Sequence, residues 1–252
     1  MNRAKLPHVT SGRVAPVPTR RRILVLDVGG THVKVYAPGR PRIVITTGPS
    51  MTPQRMVREI RASLRGASYD AVSMGYPGRV ADGGIVREPT HLAPGWIGFN
   101  FERAFGHPVQ ILNDAAMQAL GGYRGGRMLF LGLGTGLGTA MVIRGELQPM
   151  ELAHLPWKKG RSYEEYVGEP ALQEFGRKKW QKEVFEVVEA LSRALEPDYV
   201  LLGGGNARKL KKLPPGARLG NNRDAYTGGL RLWQGGGRGV EALRRGGARR
   251  PR

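Results

Sequence analysis

Cysteine is absent from all 252 residues, which excludes a disulfide framework and a thiolate zinc site. No apolar run approaches the length of a membrane span, and residues 1–22 lack the hydrophobic block of a secretory signal. A cytoplasmic protein with no membrane partner is the expectation. Acidic residues are missing from residues 1–22, which carry six basic ones, and residues 235–252 set six basic residues against Glu241 alone. These tails hold more than half of the formal charge of +20, leaving 28 basic and 19 acidic residues, net +9, over residues 23–234. Both tails are rich in Pro or Gly and poor in apolar side chains, too poor to offset the entropy of ordering, so both are expected to be disordered. A polycation attracts polyanions without specifying which one, and no motif points to a specific nucleic acid. An acid-free start also fits an organellar presequence, against which Pro7, Pro16 and Pro18 spoil the amphipathic helix that such a segment needs.

What is present is organised around residues 23–36, ILVLDVGGTHVKVY. Four apolar residues predict a buried strand, Gly29, Gly30 and Thr31 a tight turn, and the alternation of Val33 and Val35 with Lys34 and Tyr36 a second strand. Adjacent glycines let the backbone approach a bound group, and exposed N–H groups with the Thr31 hydroxyl can donate to phosphate oxygens. Asp27, at the strand end, is placed to hold Mg2+ or its water. A plain hairpin whose glycines serve only the turn is the other reading. Residues 128–142, MLFLGLGTGLGTAMV, repeat the design with Gly134, Thr135 and Gly136 in the loop. Two such copies suggest related lobes facing one ligand across a cleft.

Between and beyond them the spacing predicts a strand over 43–46, a helix from Thr52-Pro53 with Met56, Ile60 and Leu64 on one face, and a strand over 71–74 entering the turn Gly75-Tyr-Pro-Gly78. A strand over 109–112 runs into Asn113-Asp114 at the start of a helix, where either residue can be a cap or a ligand. A helical stripe covers 181–196, and a strand over 199–202 ends in Gly203-Gly204-Gly205-Asn206, with Asn206 read as the cap of the next short helix. In open α/β sheets ligands bind beyond the carboxyl ends of strands, so this third glycine cluster points at the same cleft. A last element falls in 221–233.

Asp27-Val-Gly-Gly-Thr31, Asn113-Asp114, Leu133-Gly-Thr-Gly136 and Gly203-Gly-Gly-Asn206, in that order, resemble the ROK group of sugar kinases. Within that group the chain is most similar to the polyphosphate glucokinases, through Gly75-Tyr-Pro-Gly78, Gly95-Trp-Ile-Gly98, Glu151-Leu-Ala-His154, Lys158–Tyr166, Gly176–Trp180 and Gly228–Trp233. The resemblance covers about residues 23–234. It implies an α/β chain of the actin-like, hexokinase-like ATPase fold (ribonuclease H-like), two lobes around a cleft, divided here as residues 23–112 and 113–234. It implies transfer of a phosphoryl group from inorganic polyphosphate, ATP or both to the 6-hydroxyl of glucose, with another hexose such as mannose or glucosamine as the alternative acceptor. On that pattern Asp114 is the general base, Gly78, Asn113, Glu151, His154 and Glu164 hold the sugar, and Asp27, Gly29, Gly30, Thr31, Lys34, Gly134, Thr135, Gly136, Gly203, Gly204 and Gly205 hold the donor, with Mg2+ at Asp27. A homodimer is expected by analogy alone.

The chain departs from the wider family in lacking the cysteine-rich zinc motif, so no zinc is expected, and in carrying Ala153 where a glycine is usual. The 22 residues before the first strand are too few for the DNA-binding domain of repressor members. Lys158, Lys159 and Arg161, then Arg177, Lys178, Lys179 and Lys182, then Arg208, Lys209, Lys211 and Lys212 read as a basic track for polyphosphate, or as solvated helix faces. A noncatalytic sugar sensor and a polyanion-binding protein of the same fold complete the alternatives.

Overall fold

The computed structural model describes residues 21–221 and 223–234; the tails expected to be disordered lie outside those residues, apart from Arg21 and Arg22. In chain order the strands are β1 (Ile23–Val28), β2 (His32–Tyr36), β3 (Ile43–Thr46), β4 (Ala71–Tyr76), β5 (Val80–Ala81), β6 (Gly84–Ile85), β7 (Val109–Asn113), β8 (Arg127–Leu133), β9 (Leu137–Ile143), β10 (Glu146–Met150), β11 (Tyr199–Gly203) and β12 (Ala217–Leu219). The helices are α1 (Pro53–Leu64), α2 (Phe101–Phe105), α3 (Asp114–Gly122), α4 (Glu164–Val167), α5 (Glu169–Leu195) and α6 (Asp224–Arg231), with a 3-10 turn at Asn206–Lys209.

Two five-stranded sheets share one topology. The first has the order β3-β2-β1-β4-β7 and the second β10-β9-β8-β11-β12. In each, an antiparallel meander of three strands is extended on one side by two parallel strands. The repeat of the glycine hairpin in sequence is therefore a repeat of the whole sheet.

Both sheets are covered on both faces, which is why their central strands read as unbroken apolar runs. In β1, Leu24 and Leu26 face a cluster with Met56 and Ile60 of α1 and the buried Trp96, while Ile23 and Val25 face a second cluster. In β8, Met128 and Phe130 join that second cluster, and Leu129 and Leu131 face a third with Trp180, Val184 and Val188 of α5. The middle cluster is thus shared by the two sheets and is built on α3 and α6.

Glycines let α3 and α6 cross at close range. A Cβ on Gly121 would lie 1.8 Å from the Asp224 carbonyl oxygen, and one on Gly228 would lie 1.8 Å from that of Met117. The end of α6 also reaches the first sheet, although it falls in the stretch expected to form the second lobe. The buried Ser73 hydroxyl donates to the Gly229 carbonyl at 2.6 Å and accepts from the Trp233 indole at 2.9 Å.

Three local readings are corrected. β4 runs through Gly75 and Tyr76, so the turn begins only at Pro77. The long helix starts at Glu169, with Pro170 in its first turn, and breaks its helical geometry at Gly176 (φ 70°, ψ 160°). Asn206 caps nothing; its side-chain amide donates instead to the Gly134 carbonyl at 3.1 Å.

Candidate active site

The first glycine loop joins β1 to β2 and is pinned from outside. The Gly29 N–H donates to the His32 carbonyl at 2.9 Å, the Thr47 hydroxyl donates to the Gly29 carbonyl at 2.9 Å, and the Thr47 N–H donates to the Thr31 carbonyl at 2.9 Å. Asp27 lies opposite Lys34 in the β1–β2 register. Their side chains form an ion pair at 2.8 Å, with the Asp27 side chain only 8% exposed. Lys34 binds Oδ2, so Oδ1 is left for a cation or a water. An oxygen ligand of this kind suits magnesium, which keeps several waters and takes one or two carboxylates together with substrate phosphates. Among the described residues no group of three or more His, Asp and Glu side chains converges as a metal cage. Asp27 with donor oxygens and water is therefore the arrangement these residues fit.

Asn113 closes β7 and caps α3. Its Oδ1 accepts from the Ala115 and Ala116 N–H groups at 3.0 and 3.2 Å, and its Nδ2 donates to the Gly78 carbonyl at 3.1 Å. The cap reading of the sequence holds, and it also ties together two of the expected sugar residues. Asp114 follows as the first residue of the helix, with Oδ1 accepting from the Ala115 N–H at 2.8 Å. Glycines again set the position. A Cβ on Gly75 would come 2.5 Å from Met117 Cε and 3.4 Å from Asp114 Cα, and one on Gly138 would come 2.6 Å from Ala115 Cβ. The first turn of α3 is thus wedged between β4 of one sheet and β9 of the other, with Asp114 at the seam. Burial, and secondarily the negative charge of Asp27, push the Asp114 carboxyl up to about 7. A carboxylate with that affinity for a proton can accept one from a hydroxyl near neutral pH.

The second glycine loop, between β8 and β9, is tied to the third cluster. The Gly134 and Thr135 carbonyls accept from the Glu169 N–H at the start of α5, and Gly134 also accepts from Asn206. Gly204 sits at φ +79°, and any Cβ there would lie 2.2 Å from the Leu133 carbonyl oxygen. Gly203–Gly205 therefore lies directly on the Gly134–Gly136 loop, at the same end of the second sheet.

Glu164, expected among the sugar contacts, is placed under this loop: its Oε2 accepts from the Leu137 N–H at 2.9 Å, and the carboxylate fills the space that a Gly136 side chain would need. Glu151 and His154 face each other at 3.7 Å with their side chains 74% and 66% exposed. The buried Ala153 between them accepts from the Glu164 N–H at 3.0 Å, so Glu151, His154 and Glu164 belong to one patch.

The basic stretches divide on inspection. Lys158 pairs with Glu183 at 2.9 Å and with Glu186, Arg161 with Glu174 at 3.0 Å, Lys182 with Glu186 at 3.7 Å and Lys209 with Glu169 at 3.3 Å. Lys178, Arg208, Lys211 and Lys212 are exposed and form no ion pair among the described residues, while the exposed Lys179 lies over the Phe175 ring at 4.2 Å and its charge reaches Glu174. Two residues of the site escaped sequence reading. Thr47 carries no signal beyond its place after a strand, and His91, packed on Gly30, lies in a segment with no periodicity.

No family model matches the chain. It is 30% identical to the polyphosphate glucokinase of Mycobacterium tuberculosis over 220 residues, 78% of this chain and 82% of that protein. It is 28% identical to the polyphosphate glucokinase of Mycobacterium leprae over 224 residues, 80% of this chain and 68% of that one. The fold is shared with the inorganic polyphosphate/ATP-glucomannokinase of Arthrobacter sp. strain KM, with TM-score 0.71 at 21% identity over 83% of this chain and 97% of the other. It is also shared with a ROK family glucokinase of Streptomyces griseus, solved with glucose and AMPPNP, with TM-score 0.67 at 18% identity over 84% and 98%.

Proposed function

The chain belongs to the ROK family of sugar kinases, on the side of the polyphosphate glucokinases, and is a phosphotransferase with an alcohol acceptor; on that premise we propose that it transfers a phosphoryl group from inorganic polyphosphate, ATP or both to the 6-hydroxyl of glucose. The observation that carries this reading is Asp114 at the seam of the two sheets, its carboxyl pushed up to about 7 opposite the Asp27–Lys34 pair.

Phosphoryl transfer asks the protein mainly for positioning, charge neutralisation and one group to orient the nucleophile. In this reading Asp114 takes the hydroxyl proton, and its place on a helix capped by Asn113 keeps it aimed. Glu151, His154 and Gly78 hold sugar hydroxyls. Gly30, Thr31, Gly134, Thr135 and Gly136 line the donor phosphates, and Gly203–Gly205 lies beside the outer part of the donor. Magnesium, when bound, neutralises charge on those phosphates, with Asp27 as its protein ligand. The proposed lobes, residues 23–112 and 113–234, meet at the base itself, and a cytoplasmic setting suits both substrates.

The test is a coupled assay for glucose 6-phosphate with magnesium, run with polyphosphate and with ATP on wild type and Asp114→Asn. Donor-dependent product that disappears in the variant supports the reading and names the donor. Absence of product with both donors and a panel of hexoses overturns it.

A further inference from the structure

Residues 86–100, between β6 and α2, have no regular structure yet are held at many points. The Glu88 carboxylate accepts the N–H groups of Gly95, Trp96 and Ile97 at 3.1, 3.0 and 3.2 Å. The buried Trp96 packs on Tyr76, with ring centroids 5.5 Å apart, and donates its indole N–H to the Ala93 carbonyl at 2.8 Å. The Ala93 N–H donates to the Met51 carbonyl at 3.2 Å, and the Tyr76 hydroxyl donates to the Arg87 carbonyl at 2.9 Å. Leu92 is buried in the core beneath.

This braced loop presents one exposed histidine, His91, against the first glycine loop. A Cβ on Gly30 would lie 2.8 Å from His91 Cβ and 3.4 Å from ring atoms Cγ and Cδ2. The neighbouring His32 already meets the Thr31 hydroxyl at 3.1 Å. His91 as a residue is exposed to solvent. A solvated surface histidine needs no carboxylate-anchored loop to hold it, whereas a side chain that must meet a ligand in one position gains from that rigidity. The room left by the absent Gly30 side chain is what brings this ring to the loop.

We infer that His91 is a further catalytic residue, its imidazole N–H donating to an oxygen of the phosphoryl group as that group crosses from donor to sugar. The inference rests on the function proposed above. The new bond is from phosphorus to the sugar oxygen, the bond to the donor's bridging oxygen breaks with its electron pair leaving on the donor, and the hydroxyl proton goes to Asp114. His91 gives up no proton; it stabilises charge on the oxygens in transit.

The experiment is steady-state kinetics of the full chain with glucose and each donor for wild type, His91→Ala, His91→Asn and His91→Gln, with thermal melting in parallel. A lost hydrogen bond to a charged group predicts kcat about 10- to 100-fold lower in His91→Ala. KM for glucose and donor should stay within about threefold, and the melting temperature should not move. The variant whose amide reaches the position of the active ring nitrogen should recover most of kcat. Unchanged kcat in His91→Ala, a loss confined to the glucose KM, or a fall in melting temperature that tracks the loss of rate would each overturn the inference. Wild type without product would instead overturn the proposed function, so the two failures are separable.

Discussion

Replacing Asp114 with Asn should destroy activity and stabilise the protein, and the two effects have one cause. The folded carboxyl is raised from 3.8 to about 7 by burial first and by Asp27 second. Between those values the folded protein holds a proton that the unfolded chain has released, so stability falls as pH rises through the window. Asn keeps the acceptor oxygen for the Ala115 N–H but carries no charge to desolvate. At about 1.4 kcal/mol per pKa unit the ceiling on the gain above pH 7 is about 4 kcal/mol. Asp114 is only partly buried in the fold, and screening by solvent reduces the figure to about 1–2 kcal/mol, or about 3–6 °C for a chain of this size. Melting curves of wild type and Asp114→Asn at pH 8 and pH 4 test this, with the gain present at pH 8 and largely gone at pH 4. In the same preparations kcat should fall by about 10²–10⁴, and wild-type kcat/KM should drop about tenfold per pH unit below about 7. Equal melting temperatures at pH 8, or an acid limb near 4, would refute the account of the site.

Three further expectations concern the scaffold and the donor. Gly121→Ala forces a methyl group onto the Asp224 carbonyl where α3 crosses α6 and should cost about 3 kcal/mol or more; a melting temperature within 2 °C of wild type, on the order of 1 kcal/mol or less, would rule that out. Lys158→Met strips the buried Glu183 of its cation and should cost about 2 kcal/mol in urea unfolding, recovered when Glu183→Leu is added, since the lone buried charge and not the lost pair is the penalty. Lys178→Gln with Lys179→Gln removes two exposed cations, of which Lys179 is partly offset by Glu174, and should raise the polyphosphate KM about 3- to 10-fold at low salt and less at high salt, while an unchanged polyphosphate KM and salt dependence would return these lysines to a solvated helix face.

How much of this could be read from the chain follows from the range of the interactions. The two glycine hairpins announced themselves because an apolar strand, a loop and a second strand are contiguous, and their repetition carried over to two sheets of one topology. The start of α5 was missed because Glu169–Arg177 carries little apolar periodicity; Pro170 in the first turn was the available signal. Asn206, Glu164 and His91 are different. Each is defined by a partner far along the chain, Gly134, Leu137 or Gly30, and local propensity is silent about such pairs. The crossing of α3 and α6 is of the same kind, because Gly121 and Gly228 look like poor helix formers until their carbonyl neighbours are in place. The basic stretches show the opposite limit. Their positions were plain, but which cations are already neutralised depends on acids such as Glu174 and Glu186 across the fold.

On the function proposed above, Asn113 would be a cap and a functional residue at once. Both of its side-chain ends are used: Oδ1 on the first turn of α3 and Nδ2 on the Gly78 carbonyl. The cap fixes the backbone that carries Asp114, so on the proposed function its loss should cost more in catalysis than in stability. Asn113→Ala loses the cap and should cost about 1 kcal/mol in unfolding, with a larger loss in kcat as the base drifts. Asn113→Asp separates the two roles. It keeps an acceptor for the Ala115 and Ala116 N–H groups and suits the positive end of the helix, which offsets part of the cost of setting a carboxylate oxygen against the Gly78 carbonyl where Nδ2 had donated, so the loss in unfolding should be no larger than that of Asn113→Ala. It also places another carboxylate beside Asp114, which already feels Asp27, so the Asp114 proton should be held more tightly and the acid limb of kcat/KM should move to higher pH. A melting temperature no lower than that of Asn113→Ala, together with an upward-shifted limb, supports this division of roles. An unshifted limb with full activity would mean that the Asn113 side chain acts on the helix alone and has no influence on the base.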